Sequence, residues 1–102
     1  MGYKKRIYLS GPITGTTDYM ERFSKAQKHL ENLGYSVVNP ALVNSKLPED
    51  TTYEQYMKMS FTMLTTCNYI YMLQGYEKSN GAIKELKMAE ICNIPVMYEA
   101  VE

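Results

Sequence analysis

The chain has 102 residues, with 11 Lys+Arg against 11 Asp+Glu, one His, two Cys, no Trp, ten Tyr and eight Met. A chain of this length buries roughly 60 to 70 per cent of the surface its unfolded form exposes, enough for one core, so a two-domain enzyme is excluded. Zero formal net charge and a pI near 6.6 exclude a duplex-binding role, which requires clustered Lys and Arg against phosphates.

The one contiguous basic cluster, Lys4-Lys5-Arg6, precedes a hydrophobic run and reads as a solvated lead-in to a strand. No apolar stretch is long enough to span a bilayer, and the N-terminus lacks the apolar segment of a secretory signal, so a cytoplasmic domain without membrane contact is expected. Cys67 and Cys92 are isolated in apolar surroundings, without metal-ligand spacing. Both are expected to be reduced core residues, and no metal or redox cofactor is implied.

In chain order, Arg6 to Ser10 (RIYLS) predicts a first strand, ended by the turn-forming Gly11-Pro12-Ile13-Thr14-Gly15. Thr16, Thr17 and Asp18 offer N-cap oxygens, and Met20, Phe23, Ala26, Leu30 and Leu33 recur at helical spacing up to Gly34. Tyr35 to Val38 predicts a second strand, closed by Asn39-Pro40. From Ala41 to Thr51 the chain is polar and irregular, a loop long enough to be functional. Thr52-x-x-Gln55 matches a capping box and opens a second helix through Tyr56, Met57, Ser60 and Leu64. Asn68 to Leu73 (NYIYML) is apolar at nearly every position, the mark of a parallel strand covered on both faces, and it ends in the turn Gln74-Gly75. Ser79 caps a last helix carrying Ala82, Leu86 and Ala89 on one face, and Ile94 to Tyr98 forms a closing strand whose Pro95 suits an edge.

This alternation predicts an α/β fold: a Rossmann-like (flavodoxin-like) three-layer sandwich with four or five parallel strands. In such sheets ligands bind beyond the carboxyl ends of the strands, which directs attention to two segments. In the first, Gly11 to Gly15, backbone amides can approach an anion beside a helix N-terminus, although any βα connection needs such turn residues. In the second, Ser79-Asn80-Gly81-Ala82-Ile83-Lys84-Glu85, small residues open a helix and a carboxylate follows about a turn later. Taken alone, Glu85 suits a solvated helix face; the two segments together suit a shared pocket.

Tyr8 to Gly15, Val38-Asn39-Pro40, Tyr53 to Met57, and Gly75 through Glu85, in this order, resemble the signatures of nucleoside 2-deoxyribosyltransferases and deoxynucleoside 5'-monophosphate N-glycosidases. The resemblance covers nearly the whole chain, as a single domain over residues 1–102, and is nearest to short bacterial and phage members of that superfamily. It implies that Glu85 attacks C1' of a deoxyribose and displaces the base, with an oxocarbenium-like transition state and a covalent intermediate, as in a retaining glycosidase. It further implies that Tyr8 orients Glu85. Ser79 stands where the monophosphate hydrolases carry a phosphate-binding serine and the nucleoside transferases an aspartate. With Gly81 and the amides of Ile13, Thr14 and Gly15, it would hold a 5'-phosphate, and Gly11 is a further substrate-binding candidate. Tyr76 is the candidate for stacking on the base, while His29 is expected at the surface. The implied partners are a small-molecule nucleotide or deoxynucleoside and further copies of the same chain in a homo-oligomer.

Ser60 and Asn68 depart from the resemblance, standing where relatives carry aspartates. A general acid that protonates the leaving base contributes typically about 10² to 10⁴ in rate, and neither residue can act as one. Two readings follow: an N-glycosidase or deoxyribosyltransferase, or a non-catalytic nucleotide-binding protein with a degenerate site.

Overall fold

The computed structural model describes residues 3–100. Four strands, β1 (Arg6–Ser10), β2 (Ser36–Val38), β3 (Tyr69–Met72) and β4 (Val96–Tyr98), form one sheet in the order β2-β1-β3-β4. Every neighbouring pair is parallel. Four α-helices pack on it: α1 (Tyr19–Asn32), α2 (Pro40–Asn44), α3 (Tyr53–Thr65) and α4 (Asn80–Ile91), with a 3-10 turn at Tyr76–Lys78. The expected three-layer α/β sandwich is thus present, with four strands.

Period-2 alternation in the two central strands divides the core. Ile7 and Leu9 of β1, with Tyr71 and Leu73, pack against Phe23, Ala26 and Leu30 of α1 and Ala41 of α2. Tyr8, Ile70 and Met72 point the other way, onto Leu64 of α3 and Ala82 and Ala89 of α4. This arrangement follows from handedness. The β1-α1-β2 and β3-α4-β4 crossovers run to opposite edges, and right-handed connections then require their helices on opposite faces. Strand order reverses between β1 and β3, so the loops leaving their carboxyl ends diverge and open a crevice.

Several local expectations need correction. The segment after Val38 is helical at Pro40–Asn44: the Asn39 side chain accepts from the amides of Ala41 and Leu42, and Pro40 occupies the first turn, where its missing N–H costs nothing. The same Asn-Pro pair therefore ends β2 and starts α2. At the start of α1, Asp18 holds the cap position without a side-chain bond, and Thr16 instead donates to the carbonyl of Ile13. Leu33 lies at the C-cap of α1 and is exposed, off the buried face. Cys67 is buried, but Cys92 is exposed, because it caps α4 after the last residue of the helix that faces the sheet. The α3 capping box forms in both directions, between Thr52 and Gln55, and Pro95 precedes an edge strand. No helix among the described residues is long and apolar enough to cross a membrane.

Candidate active site

Strand β1 delivers two polar side chains to one place. Tyr8 and Ser10 are two residues apart, hence on the same face of the strand, and both are fully buried. Glu85 lies five residues after the start of α4, on the stripe that faces the sheet with Ala82 and Ala89. The Tyr8 hydroxyl donates to Glu85 Oε2, and Ser10 Oγ donates to Oε1 at 2.7 Å. Each carboxylate oxygen is thereby held by a different hydroxyl from one strand, which fixes the plane of the group. The solvated helix position is excluded: Glu85 is 7 % exposed.

Burial raises the pKa of Glu85 above the usual carboxylate value, while the hydroxyls of Tyr8, Ser10 and Ser60 pull it back down. Tyr8 is driven well above a normal phenol, first by burial and then by the neighbouring Glu85 charge. A carboxylate with fixed orientation, low hydration and one exit toward a cavity is a competent nucleophile for a carbon centre.

That cavity, about 780 Å³, lies at the carboxyl ends of β1 and β3. It brings together Glu85, Gly11, Ile13, Thr14, Ser79 and Gly81 among the residues expected from the sequence. Gly15 and Tyr76 are not on its wall. Gly15 instead serves the turn: its φ of +81°, with Thr16 N bonded to the Ile13 carbonyl, is the geometry that a glycine at the third turn position supplies. Tyr76 packs its ring on Tyr98, centroids 5.8 Å apart. Gly11 has a packing reason as well, since a Cβ there would stand 2.8 Å from Leu73 Cβ.

The anion-binding elements converge from two loops. The amides of Ile13 and Thr14 make no hydrogen bond to the described residues, and the N-terminus of α4 opens onto the same cavity at Ser79, Asn80 and Gly81. Ser79 Oγ accepts from the Ala82 amide at 3.1 Å, so it acts as an N-cap and still borders the cavity. A Cβ built on Gly81 meets nothing closer than Met57 Sδ at 3.5 Å, so its lack of a side chain leaves open room there.

Four features were not among the site residues chosen from the sequence. Ser10 carries an i, i+2 signal with Tyr8 that identifies it in retrospect. Tyr19, Tyr53 and Tyr56 line the cavity, and Lys84 Nζ sits 4.9 Å from the centroid of the Tyr53 ring. Asn44 and Ser45 reach the wall from the end of α2, in the segment read as irregular. Lys78, Lys84 and Lys87 also border it, a basic group that exists only in three dimensions. Asn68 is at the opposite end of the sheet, where its Oδ1 accepts from the Arg6 amide at 2.8 Å, so it does not bear on the chemistry. Ser60 does: it is buried on α3 and borders the cavity beside Glu85. His29 is at the surface. Among the described residues no group of three or more His, Cys, Asp or Glu is placed to hold a metal ion.

No curated protein matches this sequence. Among solved structures, the chain is similar to a 2-deoxyribosyltransferase from the psychrotolerant bacterium Bacillus psychrosaccharolyticus, described as a biocatalyst for synthesis of antiviral and antitumoral nucleosides. The TM-score is 0.75 at 22% identity, over 95% of this chain and 77% of that one. The two share a fold. A family model described as "Domain of unknown function (DUF4406)" matches residues 5–98, the whole sheet and all its helices, and the chain belongs to that family.

Proposed function

We propose that this chain is a single deoxyribosyltransferase-like domain that cleaves, or transfers, the N-glycosidic bond of a 2'-deoxynucleotide, with Glu85 as nucleophile. The observation that carries this reading is the buried Glu85 carboxylate, held oxygen by oxygen by Tyr8 and Ser10 at the floor of a nucleotide-sized cavity. The fold shared with a 2-deoxyribosyltransferase supports it.

In this mechanism a Glu85 oxygen attacks C1' as the C1'–N bond breaks, and its electron pair leaves with the base. The resulting glycosyl ester is then opened by water, for hydrolysis, or by a second base, for transfer. Tyr8 and Ser10 keep the attacking group in one orientation and offset part of the cost of its burial. A 5'-monophosphate is the favoured substrate handle: Ser79, Gly81, Ile13 and Thr14 offer a hydroxyl, a helix N-terminus and free amides on the cavity wall, which Lys78, Lys84 and Lys87 also border. The protein acts in the cytoplasm as a homo-oligomer on a free nucleotide.

The test is free-base release from each deoxynucleoside and its 5'-monophosphate, with Glu85→Ala alongside. Release that the variant abolishes, faster with monophosphates, is expected; no release from any substrate overturns the reading. One observation favours a second reading, a nucleotide-binding protein without turnover: the group on α3 nearest Glu85 is the Ser60 hydroxyl, which is no acid at neutral pH. Nucleotide binding retained in Glu85→Gln, with no base release by wild type, is the result that this second reading requires.

A further inference from the structure

One buried polar atom beside the cavity is left without a partner. Asn44 borders the cavity from the end of α2, and its Oδ1 is the one buried side-chain nitrogen or oxygen among the described residues that makes no hydrogen bond. An unpaired buried acceptor is destabilising, and at a cavity wall it points to a ligand that completes it. Turning the amide into the cavity gives up no bond at this oxygen, and a ligand N–H there supplies the missing one. Ser45, the next residue on the wall, is an acceptor as well: its hydroxyl donates to the Leu42 carbonyl at 2.7 Å, which leaves Oγ with lone pairs only.

The place of these two acceptors in the fold assigns them to the base. Helix α2 leaves the carboxyl end of β2, whereas Ile13 and Thr14 follow β1 and the N-terminus of α4 follows β3. In the order β2-β1-β3-β4, β2 and β3 are two strand spacings apart, roughly 10 Å. A nucleotide held by its phosphate at Ile13, Thr14, Ser79 and Gly81, with C1' at Glu85, has only its base left to fill the β2 side. Two acceptors on that side sort bases by what they donate. An exocyclic amino group brings two protons, and guanine brings one beside a ring N–H. The oxo counterpart of an amino base offers a single ring N–H and sets a carbonyl oxygen against the second acceptor. Resting on the glycosidic reading above, we propose that Asn44 and Ser45 determine base specificity, and that the preferred substrates are 2'-deoxynucleotides whose base carries an exocyclic amino group.

The experiment uses two matched pairs of 5'-monophosphates, those of 2'-deoxyadenosine and 2'-deoxyinosine and those of 2'-deoxycytidine and 2'-deoxyuridine. Affinity is read by calorimetry in Glu85→Gln, which does not consume the ligand, and base release is read in wild type. The amino member of at least one pair is expected to bind at least about tenfold tighter than its oxo partner, the size of a hydrogen bond gained and a repulsion avoided. The two pairs then show whether the pocket takes the purine or the pyrimidine. Adding Asn44→Leu is expected to abolish the ratio within the pair, whereas Asn44→Asp, which keeps an acceptor at the same place, is expected to retain it even if its charge weakens all four ligands alike. Equal affinities within both pairs, or a ratio that survives Asn44→Leu, overturn this inference and leave the glycosidic reading to base release. A ratio that Asn44→Leu abolishes, with no base release from any of the four, overturns the glycosidic reading and leaves the base assignment standing. No binding of any of the four overturns both.

Discussion

The two faces of strand β1 are equally dry and chemically opposite. Ile7 and Leu9 are 0 % exposed and lie in a hydrophobic cluster with side chains of α1, α2 and β3. Tyr8 and Ser10, at 0 % and 1 %, carry hydroxyls into the other side of the sheet, where they find a carboxylate. One face stabilises the fold by transfer of hydrocarbon from water. The other desolvates an ionisable group, which raises the Glu85 pKa and costs stability whenever that group is charged. Burial alone therefore does not distinguish core from site; the partner that each buried side chain has does. Substitutions on the two faces should separate stability from activity.

The largest effect belongs to Glu85. Glu85→Ala is expected to lower base release by more than about 10³-fold, as removal of a covalent nucleophile does. Stability should move the other way. A carboxyl whose folded pKa lies above its unfolded value contributes stability that is full below the unfolded pKa and lost as pH rises through the folded one. Wild type therefore loses that contribution to the extent that Glu85 is charged in the folded state. Glu85→Gln, which has no charge to bury, should gain about 1 kcal/mol in urea unfolding at pH 7, with the gain shrinking toward pH 4. Equal stability of the two proteins at both pH values would mean that Glu85 is solvated in the folded state.

On the opposite face, Leu9→Ala should cost about 3 kcal/mol, the transfer term plus the cavity it leaves between β1 and α1. The folded fraction should still bind nucleotide in calorimetry, since Leu9 points away from the pocket. Loss of binding in correctly folded protein would show that the two faces are coupled.

At the phosphate end the comparison sharpens further. Ser79→Ala removes both an N-cap and a proposed phosphate ligand. The cap accounts for about 1 kcal/mol of stability, and the ligand for about a tenfold rise in KM for a 5'-monophosphate, the size of one charge-assisted hydrogen bond. The discriminating measurement is KM for the corresponding nucleoside, which should not change. Equal rises for both substrates would leave Ser79 as a cap alone.

Much of the β1 arrangement is visible in the residues themselves, because alternation along RIYLS states which side chains share a face. The parallel sheet and its layers follow from βα alternation and handedness, whereas the strand order does not. What the sequence conceals is long-range. Gly11 looks like a residue chosen to expose amides, yet its nearest constraint is Leu73, which touches it only because β3 pairs with β1. Lys78, Lys84 and Lys87 lie within ten residues of one another, but that they border the crevice shows only once the 3-10 turn and α4 are in place. Tyr76 looks like a pocket residue from its place in the loop, but β4 brings Tyr98 against it. Asn39-Pro40 carries two instructions, strand end and helix start, of which only the first was apparent beside a polar segment.

The smallest effect tests the residue that alternation alone identifies. Ser10→Ala keeps Tyr8 on Oε2 and removes the donor to Oε1. The carboxylate can then rotate about its remaining bond, and kcat should fall about tenfold while KM holds, since Ser10 is sealed from the cavity and touches no substrate. A second readout distinguishes positioning from packing. The Ser10 hydroxyl is one of the groups that lower the Glu85 pKa against burial, so its removal should move the acid limb of the kcat profile to higher pH. Ser10→Thr keeps the hydroxyl and should restore the limb even where its extra methyl perturbs the fold. A profile that falls in amplitude without moving along the pH axis would make Ser10 a packing residue, and the polar face of β1 would then act on Glu85 through Tyr8 alone.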